Sequence, residues 1–262
     1  MIAKLFSRRP KGAVPVSKVP EGRRIYAIGD IHGRLDLLEG LLERIRHDEE
    51  VRGGVQGDLI FLGDLIDRGP ESAGVIDCLM TLRKERPATR FLLGNHEEVF
   101  LAALNGDAKL LRLFHRIGGR ETILSYGITP EAYAAADYEA LVGMLQAVVP
   151  PAHRMFLESF EDMFVEGDYI FVHAGIRPGV ALEDQRPKDL RWIREEFLSG
   201  AGAPGKVVVH GHTVFDQVVD LRHRIGIDTG AYRSGGALTA MGFEGKERWI
   251  LQERCLRDAE AA

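Results

Sequence analysis

Five apolar runs in this chain end on side chains able to bind a metal ion. Residues 25–28 lead to Asp30 and His32, 59–62 to Asp64, and 91–93 to Asn95 and His96. Residues 169–172 lead to His173, and 207–209 to His210 and His212. Carboxylate and amide oxygens with imidazole nitrogens, and no thiolate, suit manganese, iron or zinc. Five of the nine histidines occupy these ends, and histidines kept only for packing would not gather there. Glycine stands beside nearly every one (Gly29, Gly33, Gly63, Gly94, Gly175, Gly211), so backbone can approach an ion or ligand closely. A carboxylate bridging two ions roughly 3.5–4 Å apart would clamp a phosphate and activate a water between them.

The apolar runs read as buried strands. The first three are each followed by a helical pattern: Leu35, Leu38, Leu41, Leu42 and Ile45, then residues 75–82, then 99–104. Alternating β and α units imply a largely parallel sheet covered by helices. Ligands bind such sheets beyond the carboxyl ends of the strands, which is where these polar groups fall. Between about residues 105 and 166 the pattern becomes helical, with Leu110, Leu111, Leu113, Phe114 and Ile117 followed by an Ala- and Leu-rich stretch. This reads as a helical insertion. Strand signals return at 169–172, 207–209, 225–227, 237–243 and 248–251, and the last three read as an antiparallel second sheet.

The chain has 262 residues, enough for one large α/β domain, and its 45% hydrophobic and 28% charged content is that of a globular protein. A net charge of −5 argues against a general nucleic-acid binder, and no apolar run is long enough to span a membrane. Cys78 and Cys255 stand far apart and read as packing thiols of a reducing compartment. Residues 1–22 are basic and proline-containing without the apolar core of a signal peptide, so they read as a flexible leader on a cytoplasmic protein. The expected organisation is a leader at 1–22, a single domain at 23–255 and a tail at 256–262.

Gly29-Asp30-Ile31-His32-Gly33, Gly63-Asp64-Leu65-Ile66-Asp67-Arg68-Gly69, Gly94-Asn95-His96-Glu97, His173-Ala174-Gly175 and Gly211-His212-Thr213 resemble the five ordered motifs of calcineurin-like metallophosphoesterases. Within that superfamily they are most similar to the phosphoprotein phosphatase branch, in its compact bacterial and phage form. The resemblance runs from about residue 25 to 243. It implies an α/β fold with a central β-sandwich of two mixed sheets flanked by helices, and two divalent metal ions, manganese first, with iron or zinc as alternatives. Asp30 and His32 would bind the first ion, Asp64 would bridge, and Asn95, His173 and His212 would complete the second. His96 would be the general acid, oriented by Asp67, and Arg68 and Arg194 would hold phosphate, with Arg191 a close competitor of Arg194.

The resemblance implies a serine/threonine protein phosphatase acting on a phosphorylated protein or a small phosphoester. Symmetrical dinucleoside-tetraphosphate hydrolases are the near alternative, and a non-catalytic protein-binding scaffold on the same fold is the distant one. The former typically have other residues where His32, Asp67 and Glu97 stand. The family motif uses the second histidine of its pair, so His210 is expected to sit behind the ligands or to face substrate. Glu97 fits a helix N-terminus, and His47, His115, His153 and His223 read as surface or packing residues. Lys109, Arg112, Arg116 and Arg120 read as a solvated helix face. Gly118-Gly119-Arg120-Glu121-Thr122 through Ser125-Tyr126-Gly127 resembles a Gly-Gly-x-x-Thr segment of bacterial members, expected to border the active site but with no chemistry legible in its letters.

Overall fold

The computed structural model describes residues 17–254. Strand β1 (Arg24–Ile28) is buried throughout, as a strand without a polar face must be. Helix α1 (Leu35–Val51) carries the chain to β2 (Asp58–Phe61), and α2 (Ser72–Glu85) carries it to β3 (Arg90–Phe91). Both strand pairs are parallel, which such crossovers require. Helix α3 (Asn95–Leu104) opens the helical region, followed by α4 (Ala108–Phe114), α5 (Arg120–Ser125), α6 (Pro130–Ala135), α7 (Tyr138–Val148) and α8 (Pro151–Glu158). Asp107, Thr129 and Asp137 cap α4, α6 and α7 through their side-chain oxygens, so these short helices start where sequence rules place them. A wide π-type turn, His115–Gly119, joins α4 to α5, and Gly118 at φ 115° breaks its helical path.

The second half supplies β4 (Met163–Glu166), β5 (Tyr169–Val172), short helices α9 (Pro187–Trp192) and α10 (Glu195–Leu198), then β6 (Val207–His210), β7 (Val219–Asp220) and β8 (Arg224–Gly226). Strands β9 (Ala237–Glu244) and β10 (Glu247–Arg254) close the described chain. Two five-stranded mixed sheets result, ordered β10-β9-β1-β2-β3 and β4-β5-β6-β8-β7. The last three strands therefore do not form a sheet of their own, as their glycine-rich connections suggested. Strand β8 lies parallel to β6 in the second sheet, while β9 joins the first sheet antiparallel to β1 and β10 pairs antiparallel with β9 beyond it. Side chains from both sheets, including Ile25, Ala27, Ile60, Phe171, Val209 and Phe243, form one buried cluster between them. Alternation sends Tyr26 and Ile28 to the opposite face, against α1 and α2.

Residues 17–22, expected in the leader, are fastened down. Val19 is fully buried and its N–H donates to Gly245 O at 3.0 Å, while the Lys18 N–H donates to Asp168 Oδ2 at 3.0 Å. The rest of the leader, Cys255 and the tail at 256–262 lie outside the described residues. No helix among the described residues is long and apolar enough to cross a membrane.

Candidate metal and phosphate centre

Loops after the strands put the sequence-predicted side chains together, and they do so with unusual backbone. Among the described residues, the non-glycine residues with left-handed φ are His32 (49°), Asp64 (51°), Asp67 (73°), Arg68 (70°) and His212 (62°). Each such conformation costs on the order of 1 kcal/mol or more, and it persists where the surroundings over-determine it. The surroundings here are other strand-end loops. The N–H groups of Ile31 and His32 donate to Asp64 O at 3.0 and 2.9 Å, and the Gly69 N–H returns to His32 O at 3.0 Å.

Glu97 ties the second loop to α3. Its buried carboxylate accepts from the backbone N–H groups of Asp64 (2.9 Å), Leu65 (2.8 Å), Ile66 (3.3 Å) and Gly94 (3.1 Å). Burial, with Asp64 close by, pushes its pKa up to about 7. Gly94 has no room for a side chain, since a Cβ there would lie 2.3 Å from Asp64 Oδ1.

Two buried clusters with metal-ligand spacing meet at Asp64: His32, Asp64 and His96, and Asp64, His173 and His212. The first draws on loops of the first sheet alone, whereas the second adds His173 and His212 from the second sheet. His32 Nδ1 lies 2.9 Å from Ile66 O and His173 Nδ1 lies 2.8 Å from Leu62 O, so each donates from Nδ1 and presents a bare Nε2 to the centre. His173 Nε2 stands 3.1 Å from Asn95 Oδ1, 3.1 Å from His212 Nδ1 and 3.4 Å from Asp64 Oδ1. Lone pairs aimed at one another in a buried space fit a divalent cation, which would turn mutual repulsion into coordination.

The electrostatics agree. Burial holds His32 and His173 below their ordinary pKa and brings His212 down to about 2, so all three stay neutral and able to coordinate. Burial alone would raise Asp64, but positive charge at the imidazoles facing it, His173 first and then His96, would hold the carboxyl far below the usual range; with His32, His173 and His212 neutral, a bound cation can supply that charge.

Asp30 stands beside these clusters rather than within either, and both its oxygens accept from the His212 N–H, at 3.2 and 3.0 Å. Its pKa lies well above normal because it is buried near Asp228 and Asp64. Asp228 is a site residue that the sequence reading missed. It is 1% exposed and burial pushes it up to about 6; Oδ1 accepts from Gly230 N–H at 3.0 Å, while Oδ2 has no protein partner. Two adjacent buried carboxylates with an orphan oxygen again call for positive charge. The signal was available: Asp228 follows β8 as Asp30 follows β1.

Beside Asp64 lies a second constellation. His96 Nδ1 is 2.6 Å from Asp67 Oδ2, and Arg68 Nη2 is 3.2 Å from His96 Nε2. Burial disfavours imidazolium, but Asp64 and Asp67 together raise the His96 pKa; burial also raises Asp67, so the pair tends to retain a proton. The Arg68 guanidinium lies 4.3 Å over the Tyr232 ring, whose neighbour on another side is the His32 imidazole.

The two competing arginines separate clearly. Arg191 is bound to Glu98 at 2.8 Å and to Asp162 at 2.6 Å, with Trp192 Nε1 donating to Glu98 beside it. Arg194 Nη1 reaches His212 O at 3.4 Å, at the metal-competent cluster. His210 has no exposed surface; its ring packs between Phe197 and Phe215 and its Nδ1 lies 3.0 Å from Gly211 O.

A buried carboxylate shared by two nitrogen-rich clusters suits a divalent-metal centre. The chain belongs to the calcineurin-like phosphoesterases, whose family pattern matches residues 23–239. It is 35% identical over 187 residues to the symmetrical bis(5'-nucleosyl)-tetraphosphatase of Methylococcus capsulatus, covering 71% of this chain and 51% of that protein. The chain thus spans about half the length of that relative. It is 30% identical over 237 residues to serine/threonine-protein phosphatase 1 of Salmonella typhimurium, covering 88% of this chain and 97% of the relative. In fold it resembles a solved putative diadenosine tetraphosphatase at a TM-score of 0.59 and 21% identity, covering 91% of this chain and 98% of the other.

Proposed function

We propose that this enzyme hydrolyses phosphomonoesters on serine or threonine, with manganese in the metal positions. The observation that carries this reading is the 2.6 Å contact between His96 Nδ1 and Asp67 Oδ2. Serine alkoxide is a poor leaving group and needs a proton as the bond breaks, whereas a nucleotide phosphate departs well without one. An acid held by a buried carboxylate is what alkyl phosphates require.

Bound divalent ions supply Lewis-acid activation of water and phosphate. The chain's own residues do the rest. Asp30, His32, Asp64, Asn95, His173 and His212 would hold the ions, and the Asp228 carboxylate adds negative charge beside Asp30. Arg68 and Arg194 grip the non-bridging oxygens with fixed, permanently charged donors. Water adds its oxygen to phosphorus, the ester P–O bond breaks with its electron pair going to the alcohol oxygen, His96 Nε2 protonates that oxygen, and the proton shed by the water restores the imidazole. Arg68 Nη2 lies 3.2 Å from His96 Nε2, so the guanidinium that would hold phosphate stands beside the atom that would deliver the proton.

Dinucleoside-tetraphosphate hydrolysis is the second reading, favoured by the Methylococcus capsulatus relative. Rates on a phosphoserine peptide and on diadenosine tetraphosphate decide between them; strong preference for the nucleotide would overturn the proposal. Asp64→Asn and His96→Asn should nearly abolish turnover of the peptide while leaving the fold intact, and equal rates in all three proteins would sink the mechanism.

A further inference from the structure

Asp67 is fully buried, and its two oxygens are held by different parts of the fold. Oδ2 meets His96 Nδ1, while Oδ1 accepts from the Thr122 hydroxyl at 2.6 Å. Thr122 lies on α5, within the helical insertion, 55 residues along the chain from Asp67. Its single hydroxyl proton goes to the carboxylate, so the 2.8 Å contact with Ser72 Oγ must have Ser72 donating to Thr122. The Asp67 N–H in turn faces Thr122 Oγ1 at 2.9 Å and Ser72 Oγ at 3.0 Å. Two hydroxyls therefore hold both the main chain and the carboxylate of a residue at φ 73°.

The same segment holds Arg68. Its N–H donates to Gly118 O at 3.0 Å and its Nε to Ile117 O at 3.4 Å. A Cβ at Gly118 would lie 2.7 Å from Arg68 Cγ, and φ there is +115°, so only glycine lets the turn close on the arginine. The insertion thus reaches both the acid pair and the phosphate clamp through residues 117–122.

We propose that Thr122 is the positioning residue of the Asp67–His96 acid, so that the docking of the helical insertion sets proton delivery to the leaving group. With Oδ1 fixed, the carboxylate plane cannot rotate and Oδ2 stays aimed at Nδ1. A methyl in place of the hydroxyl leaves Oδ1 buried without its side-chain donor, and the acid loses its aim. This rests on the role proposed above for His96, yet it does not depend on whether the natural substrate is a peptide or a nucleotide.

The test pairs Thr122→Val, isosteric without the hydroxyl, with Thr122→Ser, which keeps it. Phenyl phosphate and p-nitrophenyl phosphate differ little in size but widely in leaving-group basicity, so their rate ratio reads acid catalysis directly. Thr122→Val should lower kcat on phenyl phosphate about 10-fold more than on p-nitrophenyl phosphate, with KM unchanged, and Thr122→Ser should restore most of the loss. In metal-free protein, the downfield proton resonance of His96 Nδ1–H should persist in the wild type and Thr122→Ser but shift or vanish in Thr122→Val. Should Thr122→Val fail to fold, Ser72→Ala must show the same direction in ratio and resonance. An unchanged ratio with an unchanged resonance in the folded variant overturns the proposal, as does an equal loss on both esters with the resonance retained. Wild-type preference for diadenosine tetraphosphate over phosphopeptide would overturn the substrate assignment alone and leave this ratio intact.

Discussion

The Asp64 N–H donates to Glu97 Oε2 at 2.9 Å, so the carboxylate shared by both metal-competent clusters is held through its own main chain by the helix that carries Asn95 and His96. Glu97 directly follows His96 and reaches the centre through backbone N–H groups alone. Its two oxygens receive four backbone donors, which explains why an acidic side chain stands fully buried there.

Glu97→Gln turns one acceptor into a donor facing those N–H groups. A buried donor left unsatisfied costs about 1–3 kcal/mol, and more than one N–H is affected. We expect a loss of roughly 2–4 kcal/mol in urea unfolding and weaker metal binding by titration calorimetry. A variant as stable as the wild type would show that the four contacts carry no net stability.

Arg191 and Arg194 should separate in kinetics. Arg191→Ala removes a strut between Glu98 and Asp162, so it should lower Tm and leave kcat/KM within about 3-fold. Arg194→Ala removes the guanidinium that reaches His212 O and is proposed to hold the phosphoryl group, and should reduce kcat/KM about 10²-fold with little change in Tm. Reversed outcomes would exchange their roles.

The ions should act on stability as well as rate. Any ligand that binds only the folded protein stabilises it by about 2.7 kcal/mol at about 100 times its Kd. Manganese should therefore raise Tm in a concentration-dependent way, a chelator should reverse the gain, and Asp64→Asn should cancel most of it. Thermal scans across a manganese series provide the measurement.

His210 gives a pH signature. Burial brings its pKa down to about 3, so between pH 3 and 6.5 the unfolded chain binds a proton at this residue that the folded chain refuses. The residue's contribution to stability is therefore lost as pH falls below 6.5. Between pH 7 and pH 5 the wild type should lose about 2 kcal/mol relative to His210→Gln, in which nothing titrates at this position. Urea unfolding of both proteins at the two pH values would reveal a parallel response if His210 were exposed instead.

Most of the centre was legible because each strand end carries its own short signal, an apolar run closing on glycine and a donor group. Asp228 also follows a strand, but Ile227 rather than a glycine stands directly before it, and no histidine lies within two residues to mark it. Thr122 could not be found this way, because its meaning lies in Asp67, and sequence spacing says nothing of a contact closed by tertiary folding. The Arg191–Arg194 choice turned on where Glu98 and Asp162 lie, which letters do not record. The sheet assignment of β9 and β10 failed for a related reason. A hairpin whose first strand is buried can pair with any open edge, and only packing shows that β1 offers it to β9.

The two clusters that share Asp64 differ in provenance: one is local to a single sheet, and the other spans both. Filling the local one leaves the halves of the sandwich as loosely or tightly joined as before. Filling the spanning one would add a link between loops of the two sheets. Loading of the two positions should therefore be mechanically unequal, with hydrogen exchange in β5 and β6 slowing only when the second is filled, so that metal supply sets how tightly the two halves are clasped.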